Sequence, residues 1–254
     1  MKIGVCGGID RAPIIKRLGY DYVEEKLSDI ATLSDEEFAL RVRAYEAIDL
    51  PVYAFNFFFP AGMPLYGENP FAELNAYAEK AFARARTLGG RICVLGSAKV
   101  RNIPIGVSRE FADRRFSEVL SSFGDVAEKY GLRIAIEPLN RGEGNYINTF
   151  AEAADIAKRV SHKNVGALVD FYHFYLENES EENVIRDADQ LIHAHLARPN
   201  ADRLVPKEED RACVKGWASL LKKIGYDGAI SLEAEYADFE EDVKNAKTYM
   251  ELFR

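Results

Sequence analysis

Apolar runs of four to six residues recur eight times, each followed by a loop and a helix-like stretch. This eightfold alternation limits the fold more than any other feature of the chain. The runs fall at 2–6, 20–25, 51–56, 91–95, 132–137, 165–170, 191–196 and 229–233. Most are continuous rather than alternating, as in strands covered on both faces of a parallel sheet. The stretches between them predict helices over 9–18, 34–48, 70–88, 107–130, 149–160, 177–188, 213–224 and 239–252. Ser34 stands three residues before Glu37, and Thr149 three before Glu152, so each pair predicts a capping box. Gly19, Gly89, Gly131 and Gly225 each close a helix-like stretch, where a left-handed residue is wanted. No Pro/Ser-rich linker interrupts the series. Eight units predict an α/β chain folded as one (β/α)8 TIM barrel domain over residues 1–254, a length typical of that barrel. An open doubly wound sheet is the competing arrangement. Val5-Cys-Gly-Gly8 lacks the Gly-x-Gly-x-x-Gly spacing, so no nucleotide cofactor is expected.

Four of the runs end on residues that bind metal ions: Glu137, Asp170, His195 and Glu233. They lie 33, 25 and 38 residues apart, about one strand–helix unit each time. In a closed parallel barrel such strand ends converge on one mouth, where catalytic groups gather. Any one of them alone reads as a surface or capping residue. Together they would be costly to bury without a cation, because unpaired buried carboxylates are strongly disfavoured. An oxygen-rich set with one imidazole suits Mg²⁺ or Mn²⁺, and leaves Co²⁺ and Zn²⁺ open. Such an ion, holding a carbonyl and an adjacent hydroxyl, acidifies the intervening C–H and stabilises an enediolate.

Charge and cysteine usage narrow the partners. Net charge is −8, which disfavours a phosphate-backbone ligand, so no nucleic acid is expected. Three widely spaced cysteines (Cys6, Cys93, Cys213) make no disulfide framework and point to a cytoplasmic setting. The greasiest segment, 52–66, is too short to span a membrane and carries Pro60 and Pro64.

Specific stretches carry a family resemblance: Ile136-Glu-Pro-Leu-Asn-Arg141, Asp170-Phe-Tyr-His173, His193-Ala-His195 and Gly225-Tyr-Asp-Gly-Ala-Ile-Ser-Leu-Glu233. The chain resembles the sugar-phosphate isomerase/epimerase superfamily of xylose-isomerase-like barrels, most of all the D-tagatose/D-psicose 3-epimerase group. The resemblance implies a sugar or sugar phosphate as substrate and one divalent metal, most often Mn²⁺, held at Glu137, Asp170, His195 and Glu233. It implies that Glu137 and Glu233 are the catalytic pair, one removing a proton and the other returning one on the opposite face. It also makes His173 and Glu143 substrate ligands. An arginine is expected six residues after the histidine ligand. Position six is Ala201 here, with Arg198 at three and Arg203 at eight, so a two-residue insertion gives Arg203 that role.

Glu24 ends the second run and is expected to line the pocket floor or bind a substrate hydroxyl. Phe55-Asn-Phe-Phe-Phe59 is expected to wall the sugar, lid the site or form a contact in a homo-oligomer. Trp217 reads as core, and Lys99 and Arg101 as surface charges. An aldose–ketose isomerase, such as a hydroxypyruvate isomerase, is the near rival. An abasic-site endonuclease would need more histidines than His162, His173, His193 and His195 supply. A non-catalytic sugar-binding barrel has no need of four intact ligands.

Overall fold

A computed structural model describes residues 1–68 and 70–254. Eight parallel strands close into a barrel in chain order: β1 (Lys2–Cys6), β2 (Tyr22–Lys26), β3 (Val52–Asn56), β4 (Ile92–Leu95), β5 (Arg133–Ile136), β6 (Val165–Asp170), β7 (Leu191–Leu196) and β8 (Ala229–Leu232). β8 pairs back onto β1, from Lys2 opposite Ala229 to Val5 opposite Leu232. The open-sheet alternative is therefore overturned.

Inside the barrel, Tyr22, Ala54, Ile92, Val94, Ala135, Leu168, Ile192 and Ala229 pack as one buried cluster. Large and small residues interdigitate there. Tyr22 fills the centre because residue 4 is glycine, where a Cβ would lie 2.3 Å from the tyrosine ring. A second, larger apolar layer lies between the strands and the outer helices.

The expected helices form, with ends displaced by a few residues: Ala12–Arg17, Asp35–Ile48, Phe71–Thr87, Arg109–Tyr130, Phe150–Val160, Glu181–Arg186, Arg211–Lys223 and Phe239–Met250. Three short ones were not expected: Leu27–Thr32, Ala98–Arg101 and Phe171–Leu176. All three sit just after β2, β4 and β6, at the mouth. Ser34 and Glu37 make both halves of the capping box. Thr149 caps Glu152, but the Glu152 carboxylate reaches back one residue further, to the Asn148 N–H. All four glycines at the helix ends adopt positive φ, from 65° at Gly131 to 98° at Gly89.

The aromatic run after β3 is divided: Phe57 and Phe59 line a cavity at the mouth, as a wall would. Phe55, Phe58 and Phe59 are buried, and Phe58 stacks on Phe123 of the Arg109–Tyr130 helix. Only Phe57 projects, 56% exposed, from a left-handed backbone with φ 46°. Arg101 also differs from expectation. It is 1% exposed, and its Nη1 donates to the carbonyls of Leu95 and Glu137. Trp217 packs in the core, stacked on Phe171. Among the described residues no helix is long and apolar enough to cross a membrane.

Candidate metal centre and active site

Period-two alternation aims every second strand residue at the barrel interior. At the C-terminal ends this gathers ligand atoms of Glu137, Asp170, His195 and Glu233 within 4.8 Å of one another. His195 Nδ1 lies 3.1 Å from Glu233 Oε2, 3.2 Å from Glu137 Oε1 and 3.9 Å from Asp170 Oδ2. Glu137, Asp170 and His195 are buried, and Glu233 is partly open to the mouth.

Space for Glu137 depends on its neighbour strand. Gly96 follows β4, and a Cβ there would fall 2.0 Å from Glu137 Oε2. Any larger residue would push the carboxylate out of the cluster. The buried Arg101 holds the Glu137 carbonyl from behind.

The opposite edge of the His195 ring is fixed by Glu24. Glu24 Oε1 lies 2.9 Å from His195 Nε2, and Oε2 lies 2.9 Å from His193 Nε2 and 2.5 Å from Ser231 Oγ. A carboxylate on one ring nitrogen keeps the proton there and leaves the other nitrogen to face a metal. The place of Glu24 along its strand is corrected. β2 ends at Lys26 rather than Glu24, so Glu24 sits two residues below the rim, paired in register with Cys6. It lines the cavity floor as expected, and its oxygens accept from His195, His193 and Ser231.

The donor set fits a divalent ion. Three carboxylates converge on one imidazole nitrogen whose ring is oriented by a fourth, and a cation would relieve their mutual repulsion. His195 also offsets that negative charge. Burial opposes its charge, yet Glu24 and Glu233 hold its pKa well above the ordinary 6.5.

The two glutamates are driven apart. Burial, then the charge of Glu233, raises Glu137 above the usual carboxylate range. Burial also acts on Glu233, but His195 and Arg203 outweigh it and hold that carboxylate far below its ordinary value. Asn56 Nδ2 adds a donor to Glu233 Oε1 at 2.8 Å.

His173 is fully buried, and its Nδ1 accepts from the Asn140 backbone N–H at 3.1 Å. That bond assigns the proton to Nε2, which has no partner and lies 3.7 Å from Asp170 Oδ2. Glu143 accepts from Asn140 Nδ2 at 2.9 Å and stands 3.8 Å from Arg203. Arg203 reaches into the cluster, with Nη2 at 2.5 Å from Glu233 Oε2 and 3.3 Å from Asp170 Oδ2. Arg198 does not. It is buried among Asp202, Glu209 and Asp210, where it braces the loop.

Sequence reasoning gave no role to Asn56, Asn140, His193 or Ser231. His193 and Ser231 stand two residues before His195 and Glu233, on the same inward face, and that spacing was the available signal. Asn56 ends β3 at the same rim. His162 lies away from the mouth beside Asp125 and Glu128.

A family model described as "Xylose isomerase-like TIM barrel" matches residues 13–254. The chain belongs to that family. An inosose isomerase of Bacillus velezensis is 25% identical, over 92% of this chain and 87% of its own. A crystal structure of a D-psicose 3-epimerase in the presence of D-fructose superposes with a TM-score of 0.87 at 22% identity, covering 100% of both chains. A 3-keto-D-glucoside 4-epimerase from E. coli gives 0.81 at 20% identity, over 99% of both. These relatives are all named isomerases or epimerases.

Proposed function

We propose that the protein is a divalent-metal-dependent epimerase or isomerase of polyhydroxy ketones, open-chain or cyclic, with Glu137 and Glu233 as the proton-transfer pair. The meeting of Glu137 and Glu233 with Asp170 and His195 within 4.8 Å of one another at the barrel mouth carries the reading. Two carboxylates at one site can take a proton from a carbon and return one to it. The names of the relatives agree with a ketone beside a C–H bond as the reacting unit.

Glu137, Asp170, His195 and Glu233 would hold the ion. When bound, the ion polarises the ketone and offsets the negative charge that develops on its oxygen. Manganese is our choice among Mn²⁺, Mg²⁺, Co²⁺ and Zn²⁺, because three of the four donors are hard carboxylates.

The chain's own residues do the rest. One glutamate takes the proton from the carbon beside the carbonyl, and the other delivers a proton to the opposite face. Configuration inverts with no change of oxidation state. Asn56 fixes the Glu233 carboxylate through its 2.8 Å bond, so the base does not rotate away from the C–H. His173 Nε2, a buried donor without a partner, supplies a hydrogen bond to a substrate oxygen. Arg203 adds a cation on the same side. Glu143 stands at the edge of the site as an acceptor for a hydroxyl.

The test is turnover of Glu137→Gln and Glu233→Gln on a panel of ketoses and keto-cyclitols, resolved by chromatography, with Mn²⁺ content measured in parallel. Loss of general acid–base catalysis costs about 10²–10⁴-fold. Variants that still bind Mn²⁺ but lose turnover support the assignment. Unchanged turnover in both removes it.

A further inference from the structure

His195 has ligand atoms on both edges of its ring. On the edge away from the quartet, Cys6, Glu24 and His195 each place a ligand atom within 4.8 Å of the other two. Strand pairing brings the first two together: Cys6 ends β1 and lies in register with Glu24 of β2. His195 meets Glu24 across the barrel, with Nε2 at 2.9 Å from Oε1. A tetrahedral zinc with bonds of about 2.0–2.3 Å spaces its ligand atoms roughly 3.3–3.8 Å apart. An ion at the centre of the triad therefore needs side-chain shifts of only about 1 Å or less. Glu24 Oε2 stays anchored on His193 and Ser231 while Oε1 turns to the ion.

The triad and the quartet want different ions. The quartet offers three carboxylates and an imidazole. The triad replaces two of those hard oxygens with one thiol, and thiolate favours Zn²⁺-type ions over Mn²⁺ or Mg²⁺. Access exists as well. Cys6 is partly buried, and with Glu24 it lines a cavity of about 450 Å³ that also touches Asn56, Glu233 and Tyr236. That cavity admits an ion and supplies water for its fourth position. Among the described residues, neither Cys93 nor Cys213 joins such a cluster.

The ring can serve only one side at a time. A neutral imidazole has one bare nitrogen. With the proton on Nε2, bonded to Glu24, Nδ1 is bare and faces the quartet. With the proton on Nδ1, two acceptors are already in place, Glu233 Oε2 at 3.1 Å and Glu137 Oε1 at 3.2 Å. Nε2 is then bare and faces Cys6 and Glu24.

We propose that Cys6, Glu24 and His195 form a second site, for a thiophilic divalent ion of the Zn²⁺ type, and that this ion and the hard ion of the quartet exclude each other through His195. On binding, bonds form from the metal to Sγ, to a Glu24 oxygen and to Nε2. The thiol proton and the Nε2 proton leave to solvent, a proton stays on Nδ1, and no electron changes hands. A Zn²⁺-type ion thereby takes His195 away from the quartet. The site goes beyond the proton-transfer reading and does not depend on it.

The experiment uses the full chain, freed of metal by chelation and dialysis. Titration with Cd²⁺ is followed by the ultraviolet thiolate-to-cadmium band. The band is expected in wild type and in Cys213→Ser, saturating at one ion per chain, and is expected to vanish in Cys6→Ser. Cadmium NMR of the wild-type protein counts the thiolates on the ion without any variant, and one is expected. Added Mn²⁺ should raise the apparent Kd for Cd²⁺ in proportion to its concentration, as competition requires. A wild-type ion with no sulfur ligand, or a band that survives Cys6→Ser, overturns the site. Undiminished Cd²⁺ affinity in the Mn²⁺-saturated protein overturns the exclusion. None of these readouts uses turnover, so the proton-transfer reading stands or falls separately.

Discussion

Replacing Glu24 with Gln removes one buried negative charge beside His195. Its oxygens meet His195, His193 and Ser231 at 2.9, 2.9 and 2.5 Å, with all four side chains fully buried. Gln offers one acceptor where the carboxylate offers two, and its NH₂ would face an imidazole N–H. The charges of the two imidazoles overcome burial and lower the Glu24 pKa from 4.5 to about 2. At about 1.4 kcal/mol per pH unit, this sets an upper figure of about 3 kcal/mol for the stability carried by the ionised form. A depressed carboxylate stabilises the fold above its unfolded pKa and loses that contribution as pH falls through its folded one. The wild-type advantage should thus be full at pH 7 and shrink between pH 4.5 and 2. Freed of its partner, His195 also turns more easily, and such outer partners are worth about 10–100-fold in metal affinity. Urea unfolding of the metal-free proteins at pH 7 and pH 3 reads the first effect, and calorimetric titration with Mn²⁺ the second. A variant as stable as wild type, with equal Mn²⁺ affinity, would refute the idea that Glu24 orients the imidazole.

Further predictions follow from the same geometry. In the metal-free protein His195 keeps its proton well above pH 6.5, so a metal must displace it. That raised pKa stabilises the metal-free fold fully below pH 6.5, and the contribution fades as pH climbs through the folded value. Mn²⁺ affinity should accordingly rise with pH across the neutral range. Calorimetry in buffers of different ionisation enthalpy should show about one proton released per ion, and no release would contradict the placement of His195. Gly96→Ala puts a methyl group 2.0 Å from Glu137 Oε2. It should cost about 1–3 kcal/mol by overpacking and lower turnover by about 100-fold through misplacement; a melting curve and a rate both at wild-type values would mean that Glu137 works elsewhere.

The barrel was legible in the sequence because buried parallel strands are continuous apolar runs and four of the helices are followed by a glycine in a left-handed turn. The converging quartet was legible because each member closes such a run. Partnerships across the barrel were not. Glu24 and His195 are 171 residues apart, and no local pattern announces that one serves the other. A boundary error of a residue or two also moved Glu24 from inside β2 to its end. Arg101 read as a surface charge because sequence does not show that a four-residue helix after β4 turns its guanidinium inward, onto the Leu95 and Glu137 carbonyls. The run at Phe55–Phe59 read as a wall, a lid or an oligomer contact, and the burial of Phe58 was not legible because it depends on Phe82 and Phe123 from two separate helices. The helices at Leu27–Thr32 and Phe171–Leu176 span six residues each, too few for a 3.6-residue period to register.

The central claim is that one ion and two glutamates move a single substrate proton at this rim. Deuterium uptake from D₂O into a reactive keto sugar, followed by NMR with and without a chelator, tests it most directly. The account predicts label at one carbon beside the carbonyl, uptake that stops on chelation and returns with Mn²⁺, and none in the Glu137→Gln, Glu233→Gln double variant. Label that continues to enter after chelation, or in the double variant, would contradict it.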